Sequence, residues 1–308
     1  MDAVRERTVG FRLALERVGL PAWFVAIDLL WIAKLDVLAI DARHYQRAAT
    51  EWLAGGNPWT VFEGQVPYLS GPHTLLFYAP TSLLPLPLST ALWMLLGVGA
   101  AVWTVRRLDL PLWWIAFPPL AHAIWNGNPQ TLLVALLLLN TPVGSVLAAG
   151  VKLYALLPLL FRPKHLIAAG IALAITLPLF PWQLYLDQAG TINSHLATSW
   201  NGSAWRFPIL IPPTLVALWI LRRQGAEWFV VPAVFPLTQF YYVSLVIPAV
   251  ARRPILAALL ATPVVLMVPV VLICLATVEV LRGRSERLDT LADRVLATTR
   301  RPRSSLTR

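Results

Sequence analysis

IDARHYQRAATEWLAGGNPW, Ile40 to Trp59, follows an apolar run that begins at Pro21. The run is about 20 residues long, the length that crosses a bilayer's hydrocarbon. Asp41 therefore stands where a first span would leave the lipid, with Arg43, His44 and Tyr45 beside it. The stretch then closes on Gly-Gly and Asn-Pro, which punctuate a short helix lying along the membrane. Read as the start of an external loop, it makes the flanking apolar segments membrane spans.

Composition agrees. Of 308 residues, 57% are hydrophobic and 13% charged, against about 25% charged in soluble domains. The mean hydropathy is +0.65. Apolar windows recur along the chain, so the expected fold class is an all-α polytopic membrane protein. The first 20 residues, MDAVRERTVGFRLALERVGL, are too charged for a cleavable leader. They read instead as an amphipathic helix on the cytoplasmic interface, residues 1–20. The single cysteine, Cys274, forms no intrachain disulfide. A net charge of +10 does not mean nucleic acid as a partner. Much of the excess sits beside spans and in the tail, as orientation by cytoplasmic Lys and Arg requires.

The expected membrane domain covers residues 21–281. The first span, 21–40, carries Asp28, Lys34 and Asp36, costly in lipid unless they face the bundle. Residues 41–80 form an external loop, and Arg106-Arg107 close a second span on the N-terminal side. Segment 111–125 returns outward to HAIWNGNPQ. Segment 128–161 is too long for one span and is interrupted by NTPVG near Asn140. Further spans are expected at 166–184, 207–221, 228–249 and 255–281, with a second external loop at 185–206. The total is about eight crossings, or about ten if 128–161 crosses three times. From Arg282 the tail holds 8 Arg against 3 acidic residues and reads as a basic cytoplasmic segment, 282–308.

Chemistry is then expected at the outer face. Asp41 can stay ionised yet shielded enough to act as a general base. It can equally cap the loop helix, and both roles are compatible. Trp59, His73, Tyr78, His122, Asn128, Gln130 and Tyr154 join Arg43, His44 and Tyr45 as candidate binding residues. Glu51 and Glu63 stand by as alternative bases. Lys152, in AAGVKLYALLPLL, is expensive in an apolar span unless it lines a cavity or snorkels to an interface. Tyr241 and Tyr242 follow a polar break in PLTQFYY. Arg252 and Arg253 fall on the outer side of this topology, against the usual bias; either they bind an anion or the topology differs there. Scattered acidic groups and histidines define no metal site by spacing, and no cofactor is expected.

The order of these motifs resembles glycosyltransferase family 87, within the GT-C superclass. The resemblance rests on five stretches between about residues 36 and 250. They are Asp41 with Tyr45 and GGNPW; LLFYAPTSLLPLP from Leu75; NGNPQ before an apolar helix; AAGVKLYALLPLLFRPKH; and PLTQFYY. It implies a GT-C-like bundle in the cell membrane with its active site on the extracytoplasmic side. It implies a polyprenyl-phosphate sugar as donor, usually mannose, and a lipid-linked or envelope-glycan acceptor. Transfer would be inverting, with Asp41 as base and Lys152 near the donor phosphate. A transporter or flippase of lipid or sugar is a competing reading on the intramembrane charges. A non-catalytic relative in glycan assembly is another.

Overall fold

The computed structural model describes residues 15–32, 38–63, 66–198 and 201–299. The chain is all-α. Among the described residues the exception is a two-residue antiparallel ladder, β1 (Phe62–Glu63) against β2 (Val66–Pro67). The helices used below are α1 (Leu20–Ile32), α2 (Ile40–Leu53), α3 (Leu75–Ser82), α4 (Leu86–Arg107), α5 (Pro118–Trp125), α6 (Gln130–Leu138), α7 (Pro142–Val151), α8 (Pro163–Thr176), α9 (Ile211–Ile220) and α10 (Met267–Thr299). Shorter helical turns link them. The expected interfacial helix falls largely on residues 1–14, outside the described residues, as do Lys34 and Asp36 of the first span.

Among the described residues α4 alone is long and apolar enough to cross a bilayer, at 22 residues, about 33 Å. The other expected spans are built from shorter helices. Proline is the reason: Pro118, Pro142, Pro163 and Pro254 each sit in a first helical turn, where their missing N–H costs nothing and the preceding residue leaves the helix. Asn140 and Leu266 take left-handed backbone at two of the breaks. The expected tail boundary at Arg282 is not a structural break, since α10 continues to Thr299.

Segment 128–161 makes three passes. Tyr154 bonds Gln130, so the start of α6 and the end of α7 meet. Arg162 donates to the Leu137 carbonyl (3.0 Å), and Ser145 bonds His165 (3.0 Å). The chain thus runs from the Asp41 end along α6, back along α7, and again toward the far end through Leu159 before α8 begins. Each pass is about 15 Å, half a hydrocarbon thickness.

The basic residues gather at that far end. Met94 stands beside Gly127 and Gly97 beside Thr131, so α4 and α6 run in the same direction and Arg106-Arg107 lie at the Leu138 end. Arg162 bridges to Glu227 (3.7 Å) and covers the Trp228 ring (5.3 Å). The helix Ile247–Val250 packs on the Ala226–Trp228 turn, which follows Arg222 and Arg223. Arg252 therefore lies with Arg162. The single outward span expected at 228–249 is instead a pair of short passes that turn near Gln239, because Pro236 interrupts the helix.

Two apolar clusters form the core. The larger joins α1, α5, α6, α7 and the C-terminal half of the chain. The smaller holds Ala42, Tyr45, Ala48, Ala49, Trp59, Tyr68, Tyr78 and Trp93. Much apolar surface remains uncovered. Ile167, Ile171 and Ile175 of α8 are 62, 59 and 59% exposed, and their spacing puts them on one face. Leu215, Val216 and Trp219 do the same on α9. Faces of this size rarely meet water in a monomer.

Candidate functional site

The seam between the two clusters is polar, and Asp41 lies in it. The chain enters α2 through Ala39, held in left-handed backbone at φ 58. Its N–H donates to the Trp125 carbonyl (2.8 Å), and the Asp41 N–H donates to the Asn126 carbonyl (2.9 Å). The NGNPQ turn is thereby bolted to the start of α2. Gly127 makes this approach possible. At φ +64 a Cβ would fall 2.7 Å from the Ala42 Cβ and 3.1 Å from the Met94 sulfur. Gly127→Ala is expected to cost about 2 kcal/mol or more, from left-handed strain plus overpacking. A lowered Tm would register it.

The turn delivers Asn128, whose Nδ2 donates to Asp41 Oδ2 (2.7 Å) while its Oδ1 accepts from the Gln130 N–H (3.0 Å). Burial raises the Asp41 carboxyl above its ordinary value, opposed by the Asn128 bond and by the Lys152 and His44 charges. Asp41 still keeps some surface open. It is thus a shielded carboxylate with one oxygen held and room at the other, which suits proton acceptance.

Lys152 caps α7 and is buried. Its Nζ donates to the Tyr45 hydroxyl, which also shares a hydrogen bond with Ser70 Oγ (2.6 Å). Among the described residues no ion pair joins Lys152 to Asp41, so the two charges act across a gap. Tyr154 donates to Gln130 Oε1 and packs on Tyr242 (4.5 Å), which meets Tyr241 (5.0 Å). Fixing that oxygen leaves Gln130 Nε2 buried without a partner. Tyr78 stacks between Tyr45 (4.6 Å) and Trp93 (4.1 Å). Asp41, Tyr45, Tyr78, Asn128, Gln130, Lys152, Tyr154, Tyr241 and Tyr242 therefore converge. His73 belongs beside them: α7 packs on its turn, and burial plus the Lys152 charge push its ring down to about 4.

Four candidates spend their polar groups outside this group, though His122 packs edge-on to Tyr241 (5.5 Å) and His44 acts on Asp41 by its charge. Arg43 pairs with Glu63 (3.3 Å), as does Arg47. That also removes Glu63 as a free base. His44 Nε2 donates to the Val61 carbonyl (3.1 Å) and pins the loop. His122 Nδ1 accepts from Trp31 Nε1 (3.3 Å), and its Nε2 meets the Asn126 side chain (3.1 Å), tying α1 to the NGNPQ turn. Arg252 is exposed at the opposite, basic end. Trp59 stands one layer back: its Nε1 donates to the Ser70 carbonyl (3.0 Å), steadying the residue that holds Tyr45. Arg43→Ala is expected to lower the Tm by less than about 2 °C, because a partly exposed ion pair contributes little and Arg47 still pairs with Glu63; a thermal melt measures it.

Ser70 and Tyr68 went unnoticed in the sequence. Ser70 had a weak signal, since Ser-Gly-Pro marks a turn. The stack of Trp182 on His73 gave none, because the two are far apart in the chain. Among the described residues no cluster of three metal-ligating side chains occurs. No protein-family model, curated protein or solved structure matches the chain.

Proposed function

We propose that this protein is a multi-pass membrane glycosyltransferase. It moves a sugar, mannose by resemblance to family 87, from a polyprenyl-phosphate donor to a lipid-linked or envelope-glycan acceptor on the extracytoplasmic side. The observation that carries the reading is the pairing, across a gap, of the shielded Asp41 carboxylate with the buried Lys152 ammonium among phenols and amides. The acceptor hydroxyl gives its proton to Asp41 as its oxygen bonds the sugar's anomeric carbon. The carbon–oxygen bond to phosphate breaks on the opposite face, and Lys152 offsets the charge left on the phosphate. A phosphate leaves without prior protonation, so no separate acid is needed.

Two features support a membrane setting. The apolar faces of α8 and α9 suit lipid rather than water. The gathering of Arg106, Arg107, Arg162, Arg222 and Arg252 at one end suits a cytoplasmic surface. Thr131, two residues beyond Pro129, packs at Gly97, about 15 Å along α4 from Arg107. A donor tethered by a prenyl chain can reach that depth from within the bilayer.

The test is transfer of labelled sugar from polyprenyl-phosphate sugars to a panel of membrane acceptors by purified, folded protein. A covalent glycosylated product is expected. Substrate-dependent flux in proteoliposomes with no covalent product would favour a transporter instead.

A further inference from the structure

The turn Pro72–Thr74 runs directly into α3, and this one segment carries three buried polar atoms that bond nothing in the chain. They are both ring nitrogens of His73 and the hydroxyl of Tyr78. His73 is 3% exposed and Tyr78 1%. Buried polar groups are paired in about nine cases of ten, and three orphans within six residues demand a reason. Other unpartnered hydroxyls, such as Ser89 and Thr104, sit inside helices, where rotation toward a backbone carbonyl of the preceding turn is open to them. An imidazole and a phenol have no such local outlet.

Both rings are also held in place. The His73 ring folds over Gly71, where a Cβ would fall 2.6 Å from its Cε1, and stacks on Trp182 at 5.6 Å and 15°. Tyr78 is clamped between Tyr45 and Trp93. Rigid, unfilled donors beside a buried ammonium describe a cradle for an anion with several acceptor oxygens.

We propose that His73 and Tyr78 are the neutral hydrogen-bond donors of a phosphate-ester site whose positive charge is Lys152. This rests on the donor class proposed above and assigns the residues that grip its phosphate. The geometry asks for one cation and uncharged donors, which suits the oxygens of a phosphate ester. An imidazole N–H and a phenol O–H would each take one phosphate oxygen while Lys152 takes the charge. Two of the three orphaned atoms, one His73 nitrogen and the Tyr78 hydroxyl, are then satisfied in the loaded protein and costly in the empty one.

That last point separates binding from structure. The full-length protein in detergent would be titrated with farnesyl phosphate and, separately, with inorganic phosphate, and its Tm recorded without ligand. His73→Phe keeps the stack on Trp182 and Tyr78→Phe keeps the sandwich, but each removes the orphaned atoms. Each variant is expected to hold or raise the ligand-free Tm and to weaken farnesyl phosphate binding about tenfold. Tighter binding of farnesyl phosphate than of inorganic phosphate assigns the site to a lipid headgroup; equal binding assigns it to free phosphate. If the wild type binds farnesyl phosphate and both variants bind it equally well, or lose Tm at unchanged affinity, this assignment is overturned while the donor class stands. If the wild type binds neither probe, the donor class itself fails and takes this assignment with it.

Discussion

Asp41→Asn is expected to lower turnover about 100-fold or more, the scale of losing general-base help, while donor affinity stays within about threefold. The amide oxygen introduced there can still accept from Asn128 Nδ2, so the link between α2 and the NGNPQ turn survives. What is lost is a group able to take the acceptor's proton. The pH profile gives an independent readout. Burial raises the Asp41 carboxyl above its ordinary value, so wild-type kcat/KM should fall as pH drops through that raised value. The residual activity of the variant should lack this limb.

The sign of the stability effect follows from the same shift. A carboxyl raised in the folded state contributes stability below its unfolded value, and loses it as pH rises through the folded value. Ionising Asp41 in the fold therefore costs stability, and the amide removes that cost while depriving Lys152 of an attraction. The Tm should stay within about 2 °C of wild type, the shift of roughly 1 kcal/mol in a chain of this size. Near-normal turnover in the variant would remove Asp41 from the mechanism and leave Glu51 as the next carboxylate to test.

Lys152→Met is the second large effect. The replacement keeps the bulk of the side chain and removes its charge. Donor affinity should fall about 30-fold or more, because the phosphate loses the one buried ammonium that the described residues bring to the seam. Acceptor affinity should change little. The acid limb of the surviving activity should also move to higher pH, since the Lys152 charge is among the influences holding the Asp41 carboxyl down. Lys152→Arg should not restore binding: a planar fork cannot replace a compact ammonium bonded to the Tyr45 hydroxyl. A titration with a prenyl-phosphate donor analogue, alongside the pH profile, reads both effects.

Much of this site was legible before the structure. Asp41 at the end of an apolar run and Lys152 inside one are each costly where they stand, and cost is visible in sequence. Gly127 was visible within NGNPQ as a turn. The bond from Asn128 to Asp41 was not, because it joins residues 87 apart. Charge type alone misled at Arg43 and Arg252. Arg43 is consumed by Glu63 twenty residues on, and Arg252 is carried to the basic end by a break at Pro236 that hydropathy averages over. Helix content was legible throughout. The lengths of individual helices were not, since prolines and left-handed residues such as Asn140 cut the apolar runs into passes shorter than a bilayer. Uncut hydropathy gives about eight to ten spans, while the chain itself turns back within them.

The most direct measurement is a structure of the protein with bound polyprenyl phosphate. The phosphate is expected at the Lys152 ammonium, on the side of Asp41 and within reach of His73 and Tyr78, with the prenyl chain leaving toward the apolar faces. A phosphate bound instead at the Arg162 and Arg252 end, across the three short passes from Asp41, would contradict both the donor site and the base assigned to it.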